Sequence, residues 1–447
     1  MQLLHRLKEL YESADDSVNG ELLEASSKPV DSVSDPNLNT ISLPRIIAEA
    51  ELIRAKEPHL RGATVAIRYQ GLNDFVRLLL AFDGWSAALY LLPEDDAPQL
   101  PDDCQFWAGL QSDVKRDTSL PEGQHVVTHW YIATSGTTSK PKWIAHQLAG
   151  LTASVRVNLE QMPLRWGLLY QPFRFAGLQV LLQGLLSGAS IVDASDGDIS
   201  RRIKLLRAAT TTALSATPSM WRQLLLSGEL ETLPLSQLTL GGEIADQGLL
   251  NMLRARFSEA RIIHIYASTE AGVGFSVSDG KAGFPEAWLK DGYYGVKLKI
   301  NAHHHLCIKP LQLPKSGVKN RMDAQGYIDS EDMVEIIDGR VYFLGRAGGV
   351  INVGGNKVHP QQVEQVILSI EGVLSARVYG SKSSVMGSLV SAEVVAEADT
   401  ELTALKKKII LQCMQRLARY QVPMRIDFVK QIKTNETGKI DRRQPSE

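Results

Sequence analysis

From residue 63 onward the chain alternates short runs of β-branched and aromatic residues with segments of helical periodicity. Strands are predicted at 63–68 and 85–92, with a helix between them at 72–82. Later apolar runs at 189–192 and 261–266 fit the same alternation. Strands that alternate with helices are typical of parallel sheets covered by helices. The sequence therefore predicts an α/β fold for most of the chain.

The pattern changes near residue 345, which predicts a domain boundary. A predicted strand at 340–344 is followed by Arg-Ala-Gly-Gly at 346–349, where glycine allows the chain to bend. Beyond this point lies a compact unit with its own helices and strands. We therefore predict a large N-terminal domain of parallel sheets covered by helices at 1–347. A small, mobile α+β C-terminal domain is predicted at 348–447.

Local signals define the secondary structure of the smaller unit. Pro360 predicts the first turn of a helix that ends at Gly372. A strand is predicted at 389–396, and apolar residues at helical spacing predict a second helix at 401–420. In the larger unit, residues 14–40 are rich in Ser, Asp, Asn and Pro and have little apolar periodicity. This composition predicts a flexible or loosely packed segment.

Length and charge limit the classes of function. A chain of 447 residues is long enough for a large domain and a smaller one, and its net charge of −2 argues against a nucleic-acid partner. No apolar run reaches the roughly 18 residues needed to cross a bilayer, and the N-terminus lacks the apolar core of a signal peptide. Cys104, Cys307 and Cys413 show no metal-ligand spacing. We therefore expect a cytoplasmic protein without a membrane partner.

Residues 134–142, Thr-Ser-Gly-Thr-Thr-Ser-Lys-Pro-Lys, are predicted to form a phosphate-binding loop after a strand at 126–132. Gly136 allows a sharp turn that brings backbone N–H groups close to phosphate oxygens. Pro141 and Trp143 break the Walker A pattern, and a Ser/Thr-rich surface turn is the alternative. Hydroxyl and ammonium groups supply further donors: Thr134, Ser135, Thr137, Thr138 and Lys142.

This loop resembles the phosphate-binding signature of the adenylate-forming enzymes, the superfamily of acyl-CoA synthetases, nonribosomal adenylation domains and luciferases. Further segments are similar to that superfamily's motifs and follow in the same order. They are a tyrosine-to-glutamate motif at 266–270, a ribose-binding segment at 326–332, a hinge segment at 345–364 and a catalytic-lysine loop at 435–442. The chain is compact, as the o-succinylbenzoate–CoA ligases are. The resemblance implies ATP-dependent activation of a carboxylic acid to an acyl-adenylate, pyrophosphate release, and transfer to a thiol.

The resemblance also implies roles for individual residues. Lys439 would be the catalytic lysine of adenylate formation, assisted by Thr134 and Lys142. Glu270 and Thr138 would hold Mg²⁺, which shares its oxygen ligands with phosphates. Further nucleotide-binding positions implied are Ser135, Gly136, Thr137, Gly242, Glu243, Tyr266, Thr269, Asp332 and Arg346. Among these, Asp332 would accept both ribose hydroxyls, and Tyr266 would stack on the adenine.

The acyl acceptor is implied to be the thiol of CoA or of the phosphopantetheine arm of an acyl carrier protein. Gly354 and Gly355 would line the tunnel for that arm, and Gly348 would be the hinge. The implied acid pocket comprises Phe173, Arg174, Gly177, Gly241 and Ala267, with Phe175, Met220 and Trp221 as further apolar walls. Arg174 is either a surface residue or a cation that faces a polar part of the acid or the phosphate of the pantetheine arm.

Some positions depart from the superfamily pattern: Ser139 and Ala267 stand where glycine is usual, Gly348 and Gly349 where acidic residues are usual, and Arg174 where histidine is common. Arg174 and the compact N-terminus favour an aromatic or medium-sized, partly polar acid over a long fatty acid. A standalone enzyme of specialised-metabolite biosynthesis fits the departures from the pattern. One alternative is an enzyme that stops at the adenylate or acts on an unusual carrier-bound substrate. The other is a non-catalytic nucleotide-binding protein.

Overall fold

The computed structural model describes residues 2–13, 21–25, 38–94, 100–101, 104–107, 126–134, 142–156, 164–313, 318–383, 387–435 and 438–440. Its helices are α1 (Leu3–Ser13), α2 (Leu43–Lys56), α3 (Leu72–Phe82), α4 (Leu148–Leu151), α5 (Phe175–Leu186), α6 (Ile199–Ala208), α7 (Pro218–Leu226), α8 (Gln247–Arg256), α9 (Trp288–Asp291), α10 (Pro360–Leu368) and α11 (Leu402–Arg416). Short 3₁₀ turns cover Pro58–Leu60, Leu230–Thr232, Lys319–Arg321 and Arg419–Gln421.

The strands of the N-terminal part are β1 (Glu21–Ala25), β2 (Leu38–Ser42), β3 (Thr64–Arg68), β4 (Ala88–Leu92), β5 (Gln105–Trp107), β6 (His129–Ala133), β7 (Trp143–His146), β8 (Arg165–Leu168), β9 (Ser190–Asp193), β10 (Ala213–Ala216), β11 (Gln237–Gly241), β12 (Arg261–Ser268) and β13 (Gly272–Val277). They are followed by β14 (Phe284–Pro285), β15 (Lys297–Ile300), β16 (His305–Lys309), β17 (Ile328–Ile337) and β18 (Arg340–Arg346). The C-terminal strands are β19 (Ile351–Val353), β20 (Asn356–Val358), β21 (Val373–Ser383), β22 (Gly387–Ala396) and β23 (Arg425–Phe428).

Two sheets of the large domain are mainly parallel. One has the order β5-β3-β4-β6-β7 and the other the order β13-β12-β11-β10-β8-β9-β1-β2. Only the edge strands β7, β2 and β13 pair antiparallel in the described part of these sheets. Helix α3 contacts β3 and β1, one strand in each sheet, and α5 packs on β8 and β9. A continuous apolar core, which includes Phe75, Trp130, Leu168 and Ile191, therefore joins the two sheets.

Two smaller sheets complete the fold. An antiparallel sheet with the order β14-β18-β17-β16-β15 leads to the C-terminal unit. In that unit β20, β19, β22 and β21 form an antiparallel sheet, β23 adds parallel to β22, and α10 and α11 supply the helical side of the core. The predicted fold class is confirmed: a large N-terminal α/β domain and a small C-terminal α+β domain. The boundary at residue 348 stays a prediction.

Several predicted element bounds were too long. The strand predicted at 85–92 begins only at Ala88, because a turn at Gly84 with φ +72° precedes it. Helix α10 ends at Leu368, since Ser369 already caps it with backbone bonds to the preceding turn. Helix α11 ends at Arg416, because Leu417 is extended.

The predicted loose segment at 14–40 is wrong for its described residues. Glu21–Ala25 is a strand that pairs parallel with β9 through Leu22 and Leu23, and Leu22 is fully buried. Leu38–Ser42 pairs with it as the edge strand. The polar composition misled the prediction because an edge hairpin buries few of its side chains. The rest of the segment lies outside the described residues.

No helix in the described ranges is long and apolar enough to cross a membrane.

Asp83 ties the N-terminus to this core. Its buried carboxylate accepts the backbone N–H of Leu3 at 2.7 Å and the indole N–H of Trp130 at 2.8 Å. We expect Asp83→Ala to lower the free energy of unfolding by about 2–3 kcal/mol, because both donors would stay buried without an acceptor. Urea unfolding followed by tryptophan fluorescence would measure it. Glu51→Ala, which breaks an exposed pair with Lys8, should cost only about 0–1 kcal/mol. Equal losses in both variants would contradict the prediction.

Candidate active site

Several of the predicted site residues follow the carboxyl ends of the parallel strands, where open α/β sheets bind ligands. Thr134 follows β6, Gly242 and Glu243 follow β11, and Thr269 and Glu270 follow β12. Two hydrogen bonds join the ends of the predicted phosphate loop. The backbone N–H of Thr134 donates to the Lys142 carbonyl at 2.9 Å, and the backbone N–H of Lys142 donates to the Thr134 hydroxyl at 3.2 Å. Within the loop, Ser135, Gly136, Thr137, Thr138 and Ser139 lie outside the described residues.

Asp332 is held by two donors. It lies on β17 opposite Arg346 of β18, whose Nε is 3.2 Å from Asp332 Oδ1. The hydroxyl of Tyr266 donates to Oδ2 at 2.5 Å. Burial, together with the neighbouring Asp332 carboxylate, raises the pKa of Tyr266 well above its usual value, so the phenol stays a donor at neutral pH. The carboxylate predicted to bind ribose is thus oriented before any nucleotide arrives.

The ring of Tyr266 already has aromatic neighbours. It stacks on Phe275 at 5.2 Å and on Phe343 at 5.0 Å between centroids, with interplanar angles of 13° and 5°. An adenine that stacks on Tyr266, as predicted, would contact a ring that already packs against these two side chains. The stack also fixes the direction of the Tyr266 hydroxyl toward Asp332, which is a second role for this residue.

Glu270 lies close to an arginine side chain that the sequence did not place near it. Arg321 lies 3.6 Å from the Glu270 carboxylate and 2.8 Å from that of Glu331. Among the described residues no cluster of three or more His, Cys, Asp or Glu could hold a metal ion. Mg²⁺ needs only one or two protein carboxylates when phosphates supply its other ligands. A single, partly exposed Glu270 therefore fits the predicted magnesium role, with Thr138 outside the described part of the chain.

His146 supports the segment that carries Glu270. Its Nε2 lies 2.8 Å from the carbonyl of Thr269, and burial lowers the pKa of His146 to about 4. The imidazole is therefore neutral at pH 7 and donates to that carbonyl. No local motif marks His146, whose role follows only from β7 lying next to the end of β12.

Lys439 enters the site from the C-terminal domain. Its stem crosses Gly242, where a Cβ would lie only 3.2 Å from Lys439 Cε, and Gly242 itself has φ +80°. Asn435 folds the loop, since its carboxamide oxygen accepts the Lys439 N–H at 3.1 Å and its N–H donates to the Lys439 carbonyl at 2.8 Å. The structure thus brings the predicted catalytic lysine to the predicted nucleotide site.

The charge of Lys439 depends on its surroundings. Burial lowers the pKa of Lys439, and the nearby Arg346 guanidinium lowers it further. The carboxylates of Glu243, Asp332 and Glu270 act in the opposite direction. The predicted site residues therefore form one electrostatic cluster around the ammonium.

The residues predicted for the acid pocket lie near the start of α5. Arg174 precedes that helix and its guanidinium lies 5.6 Å from the Phe173 ring centroid. Gly177 has a packing role, because a Cβ there would meet the backbone carbonyl of Gln171. The carbonyl of Gly241 accepts the Tyr170 hydroxyl at 3.3 Å. Ala267, on β12, packs against the large core.

The prediction that Trp221 forms a wall of the acid pocket is corrected by the structure. Its side chain is fully buried in the core beside β10 and β11, and its indole donates to the Thr239 carbonyl at 2.9 Å, so it does not line an open pocket in this arrangement. The glycines predicted for the thiol step and for the hinge are exposed. Gly354 and Gly355 are exposed in the turn between β19 and β20, and exposed Gly348 has open space at its Cβ position.

Comparisons with known proteins agree with this geometry. The model of the AMP-binding enzyme family matches residues 80–305, and that of the AMP-binding enzyme C-terminal domain matches residues 362–439. The 2-succinylbenzoate–CoA ligase of Bacillus mycoides is 26% identical over 353 residues, which are 74% of this chain and 71% of the relative. A 3,4-dihydroxybenzoate–(aryl-carrier protein) ligase of Bacillus anthracis is 43% identical over 103 residues, 23% of this chain and 24% of the relative.

The fold is also that of a solved structure, the anthranilate CoA ligase AuaEII in complex with anthranoyl-AMP. The TM-score is 0.74 at 15% identity, with 98% of this chain and 95% of that chain covered. The first family model alone spans half of the sequence. With its C-terminal lysine loop folded over the strand ends, the chain belongs to the AMP-binding family of adenylate-forming enzymes, the AMP-forming acid–thiol ligases.

Proposed function

We propose that this enzyme adenylates an aromatic or medium-sized carboxylic acid and transfers the acyl group to a pantetheine thiol. Adenylation of a carboxylic acid and the use of ATP and Mg²⁺ are typical of its family. The relatives named above act on ring-bearing acids, as their names state, and this supports the choice of acid. Their names divide the acceptor between CoA and a carrier protein, and both stay in the proposal.

The observation that carries the proposal is the position of Lys439. A desolvated ammonium next to Asp332, whose carboxylate is free to accept ribose hydroxyls beyond its bonds to Tyr266 and Arg346, would lie close to the α-phosphate of a bound ATP. Attack by a carboxylate oxygen on that phosphorus breaks the bond to pyrophosphate and gathers negative charge on the phosphoryl oxygens. A preorganised cation at that point stabilises the transition state. Bound Mg²⁺ would neutralise charge on the leaving pyrophosphate, with Glu270 as its protein ligand.

The same position argues against a protein that only binds nucleotide. Burying a lysine is unfavourable unless neighbouring charges compensate, and here several carboxylates are arranged around it. An enzyme that stops at the adenylate, or uses a carrier-bound substrate, stays open as the second candidate.

Pyrophosphate release across a panel of aromatic, aliphatic and polyketide-like acids tests the proposal directly. We expect release with a subset that contains aromatic acids, and thioester formation when CoA or a phosphopantetheinylated carrier protein is added. Pyrophosphate release without any thioester would favour the second candidate. ATP binding without release for every acid would contradict the proposed activity.

The pH dependence of adenylation follows from the lysine. Because burial lowers the pKa of Lys439, the ammonium should lose its proton at a lower pH than an ordinary lysine does. We therefore expect the pyrophosphate release rate to fall as the pH rises from neutral toward about 10. Lys439→Arg keeps its charge in this range, so any residual activity should lack that alkaline fall. The same fall in Lys439→Arg would assign it to another group.

A further inference from the structure

Glu243 joins the two domains through one carboxylate. Its Oε1 accepts the backbone N–H of Ile440, in the C-terminal loop, at 2.9 Å. Its Oε2 accepts the backbone N–H of Ser219, in the first turn of α7, at 2.9 Å. Both oxygens are therefore committed to backbone donors, one from each domain. The residue after Lys439 is thus fixed to the large domain.

Thr217 makes a second connection at the same place. As the N-cap of α7 it accepts the N–H of Met220 at 3.1 Å, and its hydroxyl proton is donated to the carbonyl of Gly438. Lys439 is therefore held on both sides, through Gly438 before it and Ile440 after it.

Arg222 makes a third connection one turn further along α7. Its guanidinium pairs with Asp246 at 2.6 Å and donates to the carbonyl of Leu374, next to the start of β21, at 2.5 Å. The side chains of this pair are only 5% and 9% exposed. The start of α7 and the loop after β11 thus form one docking edge for the C-terminal domain.

We propose that Glu243 is a positioning residue that holds the lysine loop against the large domain during adenylation and must release Ile440 before the thiol step. The two-step part of this inference rests on the proposed function. The claim that Glu243 holds the loop rests on geometry alone. A small domain that carries one group into the site and later withdraws needs contacts of this reversible, polar kind.

The pattern of donors requires a carboxylate. Glutamine has the same shape, but one of its two terminal atoms is an N–H donor. In either orientation it would place that donor against the N–H of Ile440 or of Ser219. Glu243→Gln therefore replaces one accepted hydrogen bond by a donor–donor contact. Hydrogen bonds to charged groups are strong. We therefore expect the equilibrium constant for docking of the lysine loop to fall by about ten- to a hundredfold.

Hydrogen exchange of the enzyme without nucleotide tests the docking. In Glu243→Gln the Ile440 amide should exchange about ten- to a hundredfold faster, while the strand at 213–216 keeps its protection. Thr217→Val, which removes the bond to Gly438 together with the N-cap bond to Met220 and leaves the charge unchanged, should speed hydrogen exchange in the same loop, and Thr217→Ser should return it to the wild-type rate. The matched control is Glu229→Gln, on an exposed pair with Arg207, which should leave the loop unchanged.

Kinetics on the same variants separate this role from a direct one. Pyrophosphate release by Glu243→Gln should fall with little change in the KM for ATP, and thioester formation from supplied acyl-adenylate should be unchanged or faster. Slower release with unchanged exchange at Ile440 would overturn the inference, because Glu243 would then act on Lys439 or ATP directly. Faster exchange at 213–216 as well would also overturn it, by showing general destabilisation. If no thiol is acylated by the wild type, the proposed acceptor fails, and the exchange data still decide the role of Glu243.

Discussion

Lys439→Ala is expected to slow acyl-adenylate formation by about 10²–10³-fold, the usual cost of losing one preorganised group that stabilises transition-state charge. The lysine lies across Gly242 and is surrounded by the carboxylates of Glu243, Asp332 and Glu270. Alanine removes the ammonium that the C-terminal loop would bring to the α-phosphate. Pyrophosphate release at saturating ATP and acid would measure the loss.

Two further results would complete this test. The apparent melting temperature should change little, since the desolvation penalty of the ammonium and its attraction to the neighbouring carboxylates oppose each other. If the proposed second step takes place, thioester formation from supplied acyl-adenylate should proceed, because the role proposed for the lysine is confined to adenylate formation. Lys433→Ala, at an exposed position of the same domain, is the control and should behave as wild type. A loss below threefold for Lys439→Ala would contradict its catalytic role.

Asp332→Ala is expected to reduce kcat/KM for ATP by about 30- to 1000-fold, which corresponds to about 2–4 kcal/mol. The carboxylate holds the Tyr266 hydroxyl at 2.5 Å and Arg346 at 3.2 Å. Its removal takes away the proposed ribose acceptor and leaves the buried phenol without its partner. Most of the effect should appear as a higher KM for ATP, since ribose contacts are made in both the bound and the transition state.

Matched variants distinguish the ribose contact from general damage. Tyr266→Phe keeps the carboxylate but removes the hydroxyl that orients it, so a smaller loss of about tenfold is expected. Glu335→Ala, on the same strand β17, should leave the KM for ATP unchanged. If Asp332→Ala and Glu335→Ala had equal effects, the loss would reflect the strand and not the nucleotide.

The sequence predicted those parts of the site that are local in the chain. Motifs such as 266–270 and 326–332 are contiguous, so their polar residues lie on or directly after a single strand, β12 for Glu270 and β17 for Asp332. The α/β class followed in the same way from local periodicity. Thr217 could have been found too, because Thr followed by Pro218 after a strand is an N-cap signal.

The contacts between distant segments could not be predicted. Glu243 and Ile440 are separated by 197 positions, and Arg321 and Glu270 are separated by 51. His146 looks like any strand residue until β7 is placed next to the end of β12. Single-chain patterns report which face of an element is buried, but they carry no information on which side chain will lie opposite it.

The hydrogen bonds of the joint between the domains are made by groups that water can replace. When the domains separate, the Glu243 carboxylate, the Thr217 hydroxyl and the Arg222 guanidinium would each exchange a protein partner for solvent, at a modest net cost per bond. An apolar interface of the same area would expose apolar surface each time the domains separated, and this would promote aggregation. Polar contacts of this kind would therefore let the domains separate in each proposed cycle without promoting aggregation of the open enzyme.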